Sequence, residues 1–168
     1  DGGNREQALN YHLFSWELCG HTRAALVAAG RSISPRVADR LDGAARFFAE
    51  LQSTREPWDY GDSDNGFVTP LFASEQTATR EWRDVISRQA PSLALAYWLD
   101  ALPEFLPPSA VSAPTRAQSL GDWSVYPDSG LATCRSGRWW LRWDLSPLGY
   151  LQTAAHGHLD ALHLSIWL

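Results

Sequence analysis

Two short stretches gather side chains that can move protons or hold a metal. The first is Asp1-Gly2-Gly3-Asn4-Arg5-Glu6-Gln7-Ala8-Leu9-Asn10-Tyr11-His12. Gln7 and Tyr11 stand four apart, so on a helix they share a face, with Asn4 near it. A tyrosine among amide and charged groups can act as a general acid or base. Its phenol has an ordinary pKa of about 10, which a positive neighbour lowers and desolvation raises. The same spacing also suits a core tyrosine whose hydroxyl has found a partner. The second stretch is His156-Gly157-His158-Leu159-Asp160. On an extended backbone alternate residues share a face, so His156, His158 and Asp160 converge. Alternating histidines are a common metal-ligand arrangement because two imidazoles reach one ion. Two hydrogen-bonded loop histidines would satisfy the pattern as well.

The elements that must position these groups change character near residue 103. Residues 4–100 have helical periodicity. Leu9, Leu13 and Trp16 form one apolar stripe, and Tyr11, Phe14 and Leu18 another, as on a helix buried on most sides. Its polar start (Asn4, Gln7, Asn10, His12) suits an inner helix whose N-terminal end faces a cleft. Ser34 and Pro35 open a second helix, with Val37, Leu41, Ala44, Phe48 and Leu51 at spacings of three and four. Residues 74–89 and 92–100 predict two more, divided by Pro91. Trp16, Trp82 and Trp98 sit at periodic apolar positions and are expected in the core. The loop 53–70 between helices is long enough to be functional. Its acidic run fits no calcium loop, because Gly61 and Ser63 fall where ligands belong. Trp58, in that loop, is the best candidate for a sugar-stacking platform.

Four prolines mark residues 103–121 as a linker or cover segment. Strands are then expected at 123–126, 131–135 and 138–144, with Ser136-Gly137 as a hairpin signal. The closing segment alternates Leu162, Leu164, Ile166 and Leu168 with His163, Ser165 and Trp167, which predicts a strand with one apolar face.

Composition removes several function classes. The 168 residues carry 14 arginines, no lysine and 19 acids, a net charge of −5 with no basic cluster, which argues against nucleic-acid binding. No apolar run approaches the roughly 18 residues of a membrane span. Cys19 and Cys134 fit no metal spacing and are expected as buried free thiols. No methionine is present, and the chain is expected to begin inside a longer or processed product.

Taken in order, the two clusters resemble the heparinase II/III-like family of polysaccharide lyases. Asp1-Gly2, Glu6 and Tyr11-His12 resemble the family's Asp-Gly segment leading to Tyr-His. Gly149-Tyr150 and Ala155-His156-Gly157-His158-Leu159-Asp160-Ala161-Leu162 resemble its β-domain segment, and Gly61-Asp62-Ser63-Asp64-Asn65-Gly66 a loop of the same group. The resemblance implies an α+β multidomain fold: the end of an incomplete α/α toroid (1–102), a Pro-rich linker (103–121), and the first strands of an antiparallel β-sandwich (122–168). It implies β-elimination on a uronic-acid polysaccharide, heparin- or heparan-sulfate-like, with Tyr11 and His156 catalytic. His158 would be one ligand of a structural zinc whose other ligands lie after Leu168.

Asn10, His12, Trp58 and Arg138 are the candidate substrate contacts; Arg5, Arg135 and Arg142 are further cationic options. The family's carboxylate-neutralising residue comes from an earlier helix and is expected before Asp1. Asn10 and His12 flank Tyr11 on other helix faces and do not replace it, so this chain alone is expected to be inactive. The expected partner is an anionic polysaccharide, met in the periplasm or outside the cell. Two alternatives stay open: a non-catalytic polysaccharide-binding or exopolysaccharide-assembly protein on the same scaffold, and a metal-dependent hydrolase. The latter is weakened by Ala161, which stands where the His-x-His-x-Asp-His pattern of metallo-β-lactamase-like proteins needs a ligand.

Overall fold

The structure, a computed structural model, describes residues 1–5, 8–51, 61, 66–87, 90–102, 104–106, 118–147 and 162–168. These residues form an α+β arrangement. Helices α1 (Leu9–Ala28), α2 (Pro35–Leu51), α3 (Glu75–Ile86) and α4 (Leu93–Ala101) precede strands β1 (Gln118–Leu120), β2 (Trp123–Tyr126), β3 (Leu131–Ser136), β4 (Trp139–Asp144) and β5 (Leu164–Trp167). Among the described residues the strands make one antiparallel sheet in sequence order.

Local chemistry sets most helix ends. Ser34 Oγ accepts from Val37 N at 3.4 Å, Ser74 Oγ from Thr77 N at 3.2 Å, and Ser92 Oγ from Leu95 N at 3.3 Å. Each supplies an acceptor to a first-turn amide that has no partner within the helix. Helix α1 closes with Arg31 N on Leu26 O at 2.8 Å and Gly30 N on Val27 O at 2.9 Å, the paired bonds of a Schellman motif.

Leu9, Leu13 and Trp16 of α1 are buried, as their stripe predicts. The second stripe is less covered: Leu18 is 46% exposed, so α1 is central but open along one side. In α2 the burial moves toward the C-terminal half, to Ala45, Phe47, Phe48 and Leu51, while Val37 lies outside. Trp82 packs edge-on to Trp16 (5.3 Å between centroids) and stacks on Phe105 (5.2 Å, 12° between planes). Trp98 is half-buried rather than interior. Cys134 is buried, but Cys19 is exposed, a correction to the expectation of two interior thiols; both are free.

The helices and the sheet share one core. Phe47 of α2 meets Tyr126 of β2 edge-on at 5.1 Å, and Leu131 joins the same cluster. The pairing Tyr126↔Leu131, Thr133↔Arg142, Arg135↔Trp140 and Trp140↔Trp167 puts all these residues on the sheet face toward α2. The other face carries Ala132, Cys134, Leu141, Trp143, Leu164 and Ile166. Ile166 is 54% exposed, so the alternating closing strand turns its aliphatic side outward here. Ser136 pairs with Trp139, so the hairpin turn consists of Gly137 (φ 60°) and Arg138. The strand begins one residue later than the sequence pattern suggests, and Arg138 belongs to the turn. Strand β1 also lies inside the stretch read as linker.

Candidate functional site

The Asp1-Gly2-Gly3 segment is a clasp between the start of α1 and the β2–β3 turn. Asp1 Oδ1 accepts from Gly3 N at 3.0 Å and from Ser129 Oγ at 2.9 Å. Its Oδ2 accepts from Asp128 N at 2.8 Å and Ser129 N at 3.3 Å. One carboxylate thus satisfies four donors, three from the β2–β3 turn and one from its own segment, and charge assistance strengthens each bond. The clasp has no room for side chains. A Cβ on Gly2, whose φ is 105°, would lie 2.2 Å from Gly43 O, and one on Gly3 would lie 1.9 Å from Ser129 Oγ.

Helix α1 leaves this clasp carrying Asn10, Tyr11 and His12 on successive faces. Asn10 and His12 are buried and Tyr11 is half-buried. His12 Nε2 lies 2.8 Å from Ala44 O, and its ring packs on Phe47 at 5.1 Å. Burial lowers its pKa to about 4, an effect the bond to Ala44 only partly offsets. The neutral ring must therefore donate Nε2–H to the carbonyl. His12 positions α1 against α2, and as placed neither it nor Asn10 presents a surface to a polymer. Tyr11 alone of the three retains exposure on the α1 flank.

The other sequence-derived candidates separate. Arg138 is exposed at the β3–β4 turn, at the opposite end of β3 from the Asp1 clasp. The six residues of β3 put roughly 17 Å between those ends. Trp58, His156 and His158 lie outside the described residues. Among the described residues no three His, Cys, Asp or Glu side chains converge on a point that could hold a metal ion.

The chain matches no family model, no curated protein and no solved structure.

Two polar centres escaped the sequence reading. Glu17, fully buried on α1, accepts from Val68 N at 2.7 Å, Thr69 N at 2.8 Å and the Trp82 indole N–H. It fastens the end of the 53–70 loop to α1, where His21 Nε2 also meets Thr69 Oγ1 at 3.3 Å. The signal was a lone acid beside Trp16, inside the apolar coat of a central helix.

The second centre joins α2 to the sheet. Tyr126, wholly buried, donates its phenolic O–H to Glu50 Oε2. Arg135 Nη2 donates to the Glu50 backbone O at 3.3 Å. Burial pushes the Glu50 carboxyl upward, partly offset by the Tyr126 bond and by the charges of Arg135 and Arg46. Burial, followed by the bond and charge of Glu50, raises the Tyr126 phenol well above its ordinary value. Tyr126 therefore stays protonated at neutral pH and serves as a donor. Arg46 and Glu50 stand four apart on α2, and no spacing rule joins them to Tyr126.

Proposed function

We propose that this protein is a polysaccharide lyase of the heparinase II/III-like kind, cleaving a uronic-acid polymer by β-elimination with Tyr11 at the reacting centre. The observation that carries the reading is the Asp1 clasp. The Asp-Gly segment ahead of Tyr11 packs against Gly43 of α2, and three hydrogen bonds to the β2–β3 turn fix it to the sheet. A rigid mount of this kind is what a proton-transfer group needs, because the reacting atoms must be held within hydrogen-bond reach.

In this reading the half-buried Tyr11 phenol moves the proton, as acid to the leaving glycosidic oxygen and as base for one uronate epimer. His156 acts from the β part as base or charge stabiliser. Neutralising the uronate carboxylate is the largest electrostatic demand, because the carbon acid is very weak; a residue from an earlier helix meets it. His158 would hold a structural zinc with ligands from elsewhere in the protein. The polymer places the enzyme in the periplasm or outside the cell.

A second reading, polysaccharide binding without cleavage, is favoured by one observation. Trp139 and Trp143 of β4 are 49% and 39% exposed, and indole faces stack well on sugar rings. Assaying the intact protein on heparan sulfate, hyaluronan and alginate for unsaturated uronate ends separates the two. Elimination is expected, with Tyr11→Phe lowering turnover by at least about 10²-fold while circular dichroism stays unchanged. Undiminished turnover in Tyr11→Phe removes Tyr11 from the mechanism. Binding without unsaturated ends replaces the lyase with the binding protein.

A further inference from the structure

At the junction between α2 and the sheet, two arginines among the described residues bear on one carboxylate, Glu50. Arg46 and Glu50 share one face of α2, four residues apart, and Arg135 reaches the same place from β3. Both guanidiniums act electrostatically on the Glu50 carboxylate. That carboxylate already accepts the Tyr126 hydroxyl, and Arg135 is bonded to the Glu50 backbone rather than to its side chain.

Among the described residues, two cations therefore act on Glu50, whose capacity is partly taken by the Tyr126 hydroxyl. The Nε of Arg46 is buried and meets no acceptor among the described residues. A buried N–H without a partner is uncommon in a settled interior. Neither arginine is sealed away: Arg46 is half-buried and Arg135 exposed. A guanidinium offers a planar fork of donors that matches the two oxygens of a carboxylate or sulfate.

We propose that Arg46 and Arg135 form an oxyanion subsite, beside the Glu50–Tyr126 pair, that takes one acidic group of an anionic glycan. The inference rests on the glycan reading of the preceding section and adds to it the residues that hold charge. The overall charge of −5 gives a polyanion no general attraction, so local arginine excess is what must draw it in. Glu50 then limits the affinity of the subsite, because its charge competes with the incoming anion for the same two cations. Tyr126 holds Glu50 in place and keeps it from swinging onto either arginine.

The test is calorimetric titration of the intact protein with size-defined heparan sulfate, hyaluronan and neutral β-glucan oligosaccharides at low and high salt. Arg46→Gln and Arg135→Gln are each expected to weaken acidic-glycan binding about tenfold and to flatten its salt dependence. Glu50→Gln keeps an acceptor for Tyr126 but removes the competing charge, so it is expected to tighten binding several-fold. The exposed Arg31→Gln serves as a control with unchanged affinity. Arginine-dependent binding of hyaluronan assigns the subsite to carboxylate; dependence seen only with heparan sulfate assigns it to sulfate. Binding insensitive to both arginine variants, weakened binding in Glu50→Gln, or no acidic-glycan binding by the wild type would overturn the subsite. Its failure is separable from that of the lyase reading. Arginine-dependent binding without unsaturated ends leaves the subsite standing and removes the enzyme, and elimination with arginine-independent binding does the reverse.

Discussion

Glu17 and Glu50 are two carboxylates placed inside the same molecule in opposite ways. Glu17 lies within the helical part and meets neutral donors: two backbone N–H groups and an indole. Glu50 lies where helices meet sheet and is held by a phenol under the influence of two guanidiniums. The first arrangement closes on itself: among the described residues the donors that Glu17 meets are all neutral. The second leaves the Arg46 Nε without an acceptor among the described residues, beside an Arg135 that solvent reaches. Burial of an acid alone does not mark a functional site; the charge balance of its partners separates a staple from a receptor.

The largest test of this contrast removes the staple. Glu17→Ala strands two loop amides and the Trp82 indole, and should cost about 4 kcal/mol in urea unfolding. Glu17→Gln, which keeps an acceptor, should cost clearly less. A loss near zero in the alanine variant would show that water replaces the carboxylate and that the centre is not closed.

A second test uses pH at the junction. The folded pKa of His12 lies below its unfolded value of 6.5, at about 4. The unfolded chain therefore binds the extra proton first, and stability falls as pH drops through that window, by up to roughly 3 kcal/mol. Glu50 has the opposite sign. Its folded pKa is raised from 4.5, so its contribution is fully present below 4.5 and is lost as pH rises through the folded value. The two groups oppose each other over a shared range of mildly acidic pH. Urea melts at a series of pH values should show His12→Gln flattening the acid limb and Glu50→Gln steepening it. Parallel curves for all three proteins would mean that neither burial matters to folding.

The smallest expected effect comes from the partner of Glu50. Tyr126→Phe keeps the ring against Phe47 and removes only the donor, for about 2 kcal/mol by chemical denaturation. A fall as large as that of Glu17→Ala would make the junction a staple of equal rank and erase the contrast.

Local structure was largely legible from sequence because it depends on neighbours in the chain. Ser34 caps the helix that follows it, and Leu9, Leu13 and Trp16 point inward as their spacing requires. Where local rules are silent, tertiary contacts decide. Arg138 fell into the turn because Ser136 and Trp139 pair across it. His12 carried polar chemistry in the sequence, yet the packing of α2 turned it into an interior donor to Ala44. The His156–His158 pair, legible as a motif, lies outside the described residues.

Sequence by itself determined the order of helices before strands, their caps and periodic apolar faces, and the two stretches rich in chemical groups. These follow from bonds and contacts a few residues long. Tertiary structure alone decided which polar groups meet. Asp1 reaches Ser129, Glu17 reaches Val68 and Trp82, and Glu50 reaches Tyr126 across long stretches of chain. No spacing rule connects such residues. The shared core of Phe47, Tyr126 and Leu131 brings α2 onto the sheet, and the charge balance of the junction exists only once that core has formed.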